Sequence, residues 1–404
     1  MTARFIQIHT LTPYHASLLN RDDAGFAKRI PFGGSTRTRI SSQCLKRHWR
    51  RHTGEHGLQG IDGVEMSVRS RETFAHFVTK PLTELGVAEK IATAISSKMQ
   101  SVVLGQSEKK KKEDDAADGA KSADSKQVTV LGRAELRYLV TLGREIADDA
   151  AVQSASAATD KDAAKKLGDA IGKHLDEKAL KKNLEALKKG AEGLDAAIFG
   201  RMVTSDVLSR TDAAIHVAHA FTVHHEDSES DYFSAIDDIV QESGALGSGH
   251  INATELNTGL YYGYVVIDVG QLRANVVGLD NAPQVVAQVV RRLIHTIASV
   301  SPGAKKGATA PYSRAHVVLV EAGDAQPRSL ANAFLRPVNE QPDLIANAYA
   351  ALGNHLAELD AMYATGETRR AAAIGPVVNL QLAAGVRQPK LDDVANWAAA
   401  QIKE

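Results

Sequence analysis

The sequence predicts an α+β fold, and three observations carry that prediction. RFIQIHTLTP (4–13) alternates apolar and polar residues and reads as a strand entering a sheet. Residues 130–198, rich in Ala, Leu, Lys and Glu, keep helical periodicity throughout. LYYGYVVIDV (260–269) is strongly β-forming and leads into a helix over 283–299 and a further strand, HVVLVEA, over 316–322. Strand, helices, a strand–loop–strand unit, helix and strand in this order suit an α+β architecture.

The first strand runs into the most charged part of the chain, NRDDAGFAKRIPFGGSTRTRISSQCLKRHWRR (20–51). It holds nine of the ten Lys and Arg residues found before residue 52, against two acids, Asp22 and Asp23, in a chain whose 48 basic and 48 acidic residues balance. Charge this local marks a phosphate-binding surface; a solvated basic helix face is the alternative. FGGS (32–35) reads as a loop, because adjacent glycines let backbone approach a ligand. TRTRIS (36–41) reads as a short extended piece, and Ser41-Ser42 caps a helix through QCLKRHWRR. The free N–H groups of a helix start suit a phosphate. Gln43, Lys46, Arg47 and Arg50 follow at helical spacing on one face, while Leu45 and Trp49 turn toward a core. Cys44 packs there as a small apolar residue. As the one cysteine of the chain it cannot form an internal disulfide, which fits a reducing cytoplasm.

Beyond this segment, residues 72–103 read as amphipathic helices. SEKKKKEDDAADGAKSADSKQ (107–127) has few apolar residues and dense charge, as a disordered or mobile insertion does. The lysines of 161–189 are partly offset by acids and read as a solvated helix surface. SAIDDIVQESGALGSG (234–249) is polar and glycine-rich and reads as a projecting loop. Just before it, Tyr232 and Phe233 either stack on unpaired bases, at about 1–3 kcal/mol per base, or place one ring in the core. Met202, taken alone, reads as ordinary core filling. Lys305 and Lys306 in SPGAKKG suit a phosphate, as many surface turns do.

Several classes find no support. His48, His52 and His56 recur every four residues, but Gly54 is expected to end the helix between them, which spoils the third position. His216 and His219 in IHVAHAF would point to opposite faces of a strand, without a carboxylate pair at two-metal spacing. There is no P-loop, nucleophile elbow or dinucleotide fingerprint. No apolar run approaches about 18 residues, so no transmembrane helix is expected, and MTARFIQIHTLTPYH lacks an apolar signal core. At 404 residues the chain can bury a large core, its 44% hydrophobic content is ordinary for a soluble globular protein, and no internal repeat is found.

FIQIHTLTPYHASLLNRDDAGFAKRIPFGGSTRTRISSQCLKRHWR resembles the amino-terminal signature of the Cas7 family, Cse4/CasC type, from the type I-E CRISPR Cascade complex. The resemblance lies in His9, Leu19–Asp23, Lys28, Phe32–Gly34 and Arg37–Arg47. It continues through GRMVTSDVLSRTDAAIHVAHAFTVHHEDSESDYFSAIDD (200–238), GSGHINATELNTGLYYGYVVID (247–268), SPGAKKGA (301–308) and RSLANAF (328–334). It weakens over 52–190 and is absent over 105–130. It implies a modified RRM-like (ferredoxin-like) palm over 1–58 and 196–404, with a projecting β-hairpin thumb at about 226–262. It also implies a helical fingers insertion over 59–195 carrying a mobile Lys-rich segment, 105–130.

The function implied is a non-catalytic crRNA-binding backbone subunit without cofactor or metal, cytoplasmic and away from membranes. Copies would assemble head to tail on one crRNA, with target DNA paired to the guide. The other partners would be a small subunit, Cas5-like and Cas6-like caps and a large subunit. RNA-binding residues implied are Arg21, Lys28, Gly33, Gly34, Arg37, Arg39, Ser41, Ser42, Gln43, Lys46, Arg47 and Arg50, with Met202, Tyr232, Phe233, Ser234, Lys305 and Lys306. In relatives, fingers lysines attract duplex DNA, which points to Lys178, Lys181 and Lys182. The alternatives are a metal-dependent ribonuclease processing CRISPR RNA and a generic RRM-type binder, though the aromatic sheet motif of ordinary RRM proteins is not found.

Overall fold

The computed structural model describes residues 3–105, 128–158, 162–187, 190–203, 205–226, 228–236, 248–303 and 309–402, with side chains other than those of 233–236 and 248–252. In chain order the elements are β1 (Phe5–Ser17), β2 (Arg29–Phe32), β3 (Ser35–Ile40), α1 (Ser42–Arg51), β4 (Val68–Ser70), α2 (Lys80–Glu84), α3 (Glu89–Val103), β5 (Thr129–Leu131), α4 (Arg133–Ala147) and α5 (Ala150–Ala157). There follow α6 (Ala163–Gly172), α7 (Glu177–Glu185), α8 (Leu194–Phe199), β6 (Ile215–Val217), β7 (Ala220–Thr222), β8 (Ser228–Ile236), β9 (Ser248–Asp268) and α9 (Val269–Val276). The chain closes with α10 (Ala282–Ser299), β10 (Val317–Gly323), α11 (Leu344–Tyr363), β11 (Thr368–Ala373) and α12 (Leu391–Ala400). The predicted mixture of helices and strands is present. No helix among the described residues is long and apolar enough to cross a membrane.

The chain divides into two units. The first comprises 1–61, 215–270 and 283–404. Its antiparallel sheet runs β11-β10-β1-β9-β7-β3-β2, with β6 and β8 also paired to β9. The strand read at 4–13 is β1, seated between β10 and β9, where Ile8 lies opposite Val320 on one side and Val265 on the other. It alternates apolar and polar residues, yet residues 6–12 are all buried, as on a strand covered on both sides. Its polar members are therefore bonded: Gln7 Oε1 accepts from the Tyr264 hydroxyl at 2.7 Å and from Arg328 N–H at 2.8 Å. On one face Leu11, Tyr262, Leu319 and Phe334 pack with Ala348, Tyr349, Leu352 and Leu356 of α11. That helix starts at Asp343, whose carboxylate accepts from Ile345 and Ala346 N–H.

The second unit comprises 62–214 and 271–282. The helices expected over 72–103 appear as a π-helical turn, Ala75–Thr79, leading into α2 and α3. Val78, Ile91, Ile95, Met99, Leu139 and Ile171 share its apolar core. A short β4–β5 pair, which no sequence pattern announced, joins residues 68–70 to 129–131. The insertion expected over 105–130 lies mostly outside the described residues.

Candidate nucleic-acid interface

The basic segment folds as a hairpin followed by a helix. β2 and β3 pair from Arg29↔Thr38 to Phe32↔Ser35, leaving Gly33-Gly34 as a two-residue turn. Both have positive φ, +61° and +74°, the condition for the turn type whose twist matches a hairpin. The loop expected at FGGS is thus a tight reversal. β3 passes to β7 through Arg39↔Phe221, which anchors the hairpin to the sheet.

Ser41 opens α1 as its N-cap: its hydroxyl accepts from Cys44 N–H at 3.3 Å, and its own N–H donates to Asn20 Oδ1 at 2.9 Å. Leu45 and Trp49 are buried, as their spacing required. Gln43 and Arg47 are exposed, and Ser42, Lys46 and Arg50 half-buried. Cys44 is half-buried, and burial pushes its thiol up. α1 stops at Arg51 with His52 as C-cap. His56 therefore leaves the helix and stacks on His295 at 3.9 Å. Among the described residues no group of three or more His, Cys, Asp and Glu is placed to hold a metal ion.

Two expected RNA contacts need correction. Arg37 is fully buried: Nη1 donates to the carbonyls of Thr222 (3.0 Å) and His224 (2.9 Å), and Nη2 to that of Phe334 (3.0 Å). It braces the sheet and is not available to a phosphate. Ser41 is also buried, its hydroxyl engaged in the cap, so its contribution is to shape the helix start.

The loop before β2 is stitched to β3. Lys28 N–H donates to the Asn20 carbonyl at 3.0 Å, and Arg39 N–H to the Lys28 carbonyl at 2.7 Å. Asp22 Oδ1 accepts from Ala24 and Phe26 N–H, closing its own turn. Arg21 is exposed. An open groove results, lined by Asp22, Asp23, Ala27, Lys28, Arg29 and Arg39. Arg29, which sequence reasoning did not single out, pairs with Glu226 and Glu255. Glu255 also accepts from Ala27 N–H at 2.7 Å, and Glu226 N–H donates to the Thr36 carbonyl at 3.1 Å. The hairpin and the roots of the β8–β9 ribbon are thereby tied together.

His216 is exposed on β6, and His219 lies in the two-residue break between β6 and β7, so opposite faces of one strand do not describe them. Arg39 Nη1 donates to His219 Nδ1 at 3.0 Å. Partial desolvation, then Arg39 and Lys28, hold the His219 imidazole below its ordinary pKa. The charge run alone could not reveal this, because His219 is 180 residues from Arg39.

Tyr232 lies on β8 opposite Ala253 and is 66% exposed, which removes the core-packing alternative for that ring. Phe233 and Ser234 share the strand, but their side chains lie outside those described, as do Lys305 and Lys306 altogether. The loop expected over 234–249 lies mainly outside the described residues; strand structure reaches Ile236 and resumes at Ser248. In the second unit Met202 is 90% exposed, which excludes core filling. Lys178, Lys181 and Lys182 are exposed on α7, with Lys181 3.9 Å from Glu185.

The CT1975-like protein family matches residues 6–397. The chain belongs to this family, which is of Cas7 type. Among solved structures, a chain of "CRISPR RNA-guided surveillance complex, pre-nicking" superposes with a TM-score of 0.77 at 25% identity, covering 99% of this chain and 100% of that one. A chain of another "CRISPR RNA-guided surveillance complex" superposes at 0.66 with 21% identity, over 98% and 99% of the two chains, and speaks for the fold alone. No curated protein matches at a significant level. In the family's terms, the basic hairpin, α1 and the β8–β9 ribbon all fall within the matched residues.

Proposed function

We propose that the chain is a non-catalytic crRNA-binding backbone subunit of a type I-E Cascade surveillance complex, assembling head to tail along the guide so that its bases pair with target DNA. The observation that carries this reading is the superposition, over nearly the whole chain, on a chain of a CRISPR RNA-guided surveillance complex. The surface around Lys28, Arg39, Gln43 and Arg47 supports it: exposed and half-buried cations on a hairpin and helix suit ribose-phosphate. Phosphate contacts position a strand without reading it, so the guide bases stay free and base pairing supplies specificity. A heterologous interface repeated without closure yields a filament.

In this reading 1–58 and 196–404 act as an RRM-like palm, although 196–214 and 271–282 fall in the second compact unit, 59–195 act as fingers and about 226–262 as the thumb, whose Tyr232 stacks on a displaced base. Met202 wedges against a base, and Lys178, Lys181 and Lys182 attract duplex DNA. The small subunit, Cas5-like and Cas6-like caps and large subunit complete the complex. Co-expression with a guide RNA should give a nuclease-protected filament visible by negative-stain microscopy, and a monomer beside free RNA would refute the proposal. Guide RNA incubated with the purified chain and divalent metal should stay intact; cleavage lost on chelation would favour the ribonuclease instead.

A further inference from the structure

We propose that Lys28, Arg39 and His219 form one oxyanion subsite that takes a single phosphodiester of the bound strand, with His219 Nε2–H as a hydrogen-bond donor. The inference rests on the reading of this surface as an RNA backbone site. It assigns a role to the histidine of the AHAF segment, which the basic run does not contain.

The argument begins with what is already committed. Of the charged groups at the groove, Asp22 is occupied by the Ala24 and Phe26 N–H groups, and Arg29 by Glu226 and Glu255. Arg39 is aimed rather than consumed. Its Nε donates to the Arg29 carbonyl at 3.1 Å and its Nη1 to His219 Nδ1 at 3.0 Å, and Nη2 has no bond to a described residue. Asp22, which keeps its charge, and Asp23 are the acids of the lining, beside the cations Lys28 and Arg39.

A guanidinium has only donors, so His219 Nδ1 must accept, and the ring proton must sit on Nε2. The exposed imidazole therefore presents an N–H beside two cations. Two cations lining an open groove, with an imidazole bonded to one of them, match the non-bridging oxygens of a phosphodiester. Partial desolvation and the positive charges of Arg39 and Lys28 lower the His219 pKa, and the Arg39 bond sets the tautomer. An anion seated there offsets those cations, so binding should raise the His219 pKa.

The test uses the full chain and a short uridine-only RNA. His219→Ala should weaken binding about tenfold, the worth of one hydrogen bond to a charged group, and His219→Gln, which keeps a side-chain N–H, should recover part of it. The salt slope should be unchanged in His219→Ala, because a neutral donor releases no counterion, whereas Lys28→Ala should shrink it by about 0.7. Histidine ¹⁵N NMR should show an Nε2–H tautomer in the free protein and a higher pKa with RNA. If His219→Ala binds like the parent while Lys28→Ala is weakened, the subsite is wrong and the RNA reading stands. If the parent chain does not bind the RNA at all, the RNA reading itself falls.

Discussion

A Cβ on Gly33 would lie 1.5 Å from the Leu335 carbonyl oxygen. The hairpin turn is thus pressed on the backbone that follows RSLANAF, and only glycine allows it. Gly34 shares the positive φ but has open space where its Cβ would be. Gly33→Ala should therefore be much more destabilising than Gly34→Ala, which meets only left-handed strain of about 1–2 kcal/mol. Urea unfolding of the two variants decides the matter: equal losses would mean that backbone strain, and not the close approach, governs the turn.

Arg37 supplies a second contrast. Replacing it with Leu removes the guanidinium donor from the buried carbonyls of Thr222, His224 and Phe334, of which His224 keeps only the Thr222 hydroxyl at 3.3 Å. At about 1–3 kcal/mol for each stranded group, the loss should reach several kcal/mol. Arg37→Lys should recover part of it. For a variant that still folds, the salt slope of RNA binding should match the parent. A reduced slope with normal stability would return Arg37 to the RNA surface.

Arg37 also marks the limit of what the sequence makes legible. Arg37 and Arg39 are two residues apart on β3 and so share one side of the strand. What separates them is Phe334, nearly 300 positions away, which covers one guanidinium and leaves the other half-exposed. The Ser41 cap, the buried Leu45 and Trp49, and the strands at 260–269 and 316–322 were readable because their signals are local. The double-sided burial of β1 was not, since alternation reports one face only. α11, β11 and α12 were not assigned, although Asp343 ahead of a 20-residue helix was a readable cap. For the candidate site, cations could be counted from the sequence, but the Arg29 pairing with Glu226 and Glu255 and the Arg39–His219 bond depend on chain crossings.

The buried polar cluster beneath RSLANAF should make stability depend on pH. The Tyr262 hydroxyl donates to His9 Nδ1 at 2.8 Å and accepts from Leu330 N–H at 2.9 Å, while His9 Nε2–H donates to Glu321 at 3.1 Å. Arg328 and Arg369 also hold Glu321, at 2.7 and 2.8 Å. Burial lowers the His9 pKa below its ordinary 6.5. Although burial raises the carboxyl of Glu321, hydrogen bonds from His9 and Arg328 outweigh it and hold the group well below its ordinary 4.5. Both folded pKa values are depressed, so both contributions are complete above the unfolded values and fade as pH falls. The His9 contribution should fade below about 6.5 and the Glu321 contribution below about 4.5. Denaturation midpoints at pH 7.5, 5.5 and 4.0 should fall in steps, and His9→Gln should flatten the first. An unchanged first step would assign it to another histidine.

The basic face of α1 should act through charge and not through sequence. Arg47 is exposed and Lys46 half-buried on a helix whose start is capped by Ser41 and whose other side is fixed by Leu45 and Trp49, so truncating both cations should leave the fold in place. For a strand held by its phosphates, each lost contact lowers the salt slope by about 0.7, so Lys46→Ala with Arg47→Ala should lower it by about 1.4. The accompanying loss of affinity should be the same for polyuridine, polyadenine and a mixed guide, because no base edge is read. Fluorescence anisotropy across a salt series measures both quantities at once. A loss confined to one sequence would mean that α1 reads bases, and the guide could not then remain open for pairing along this surface.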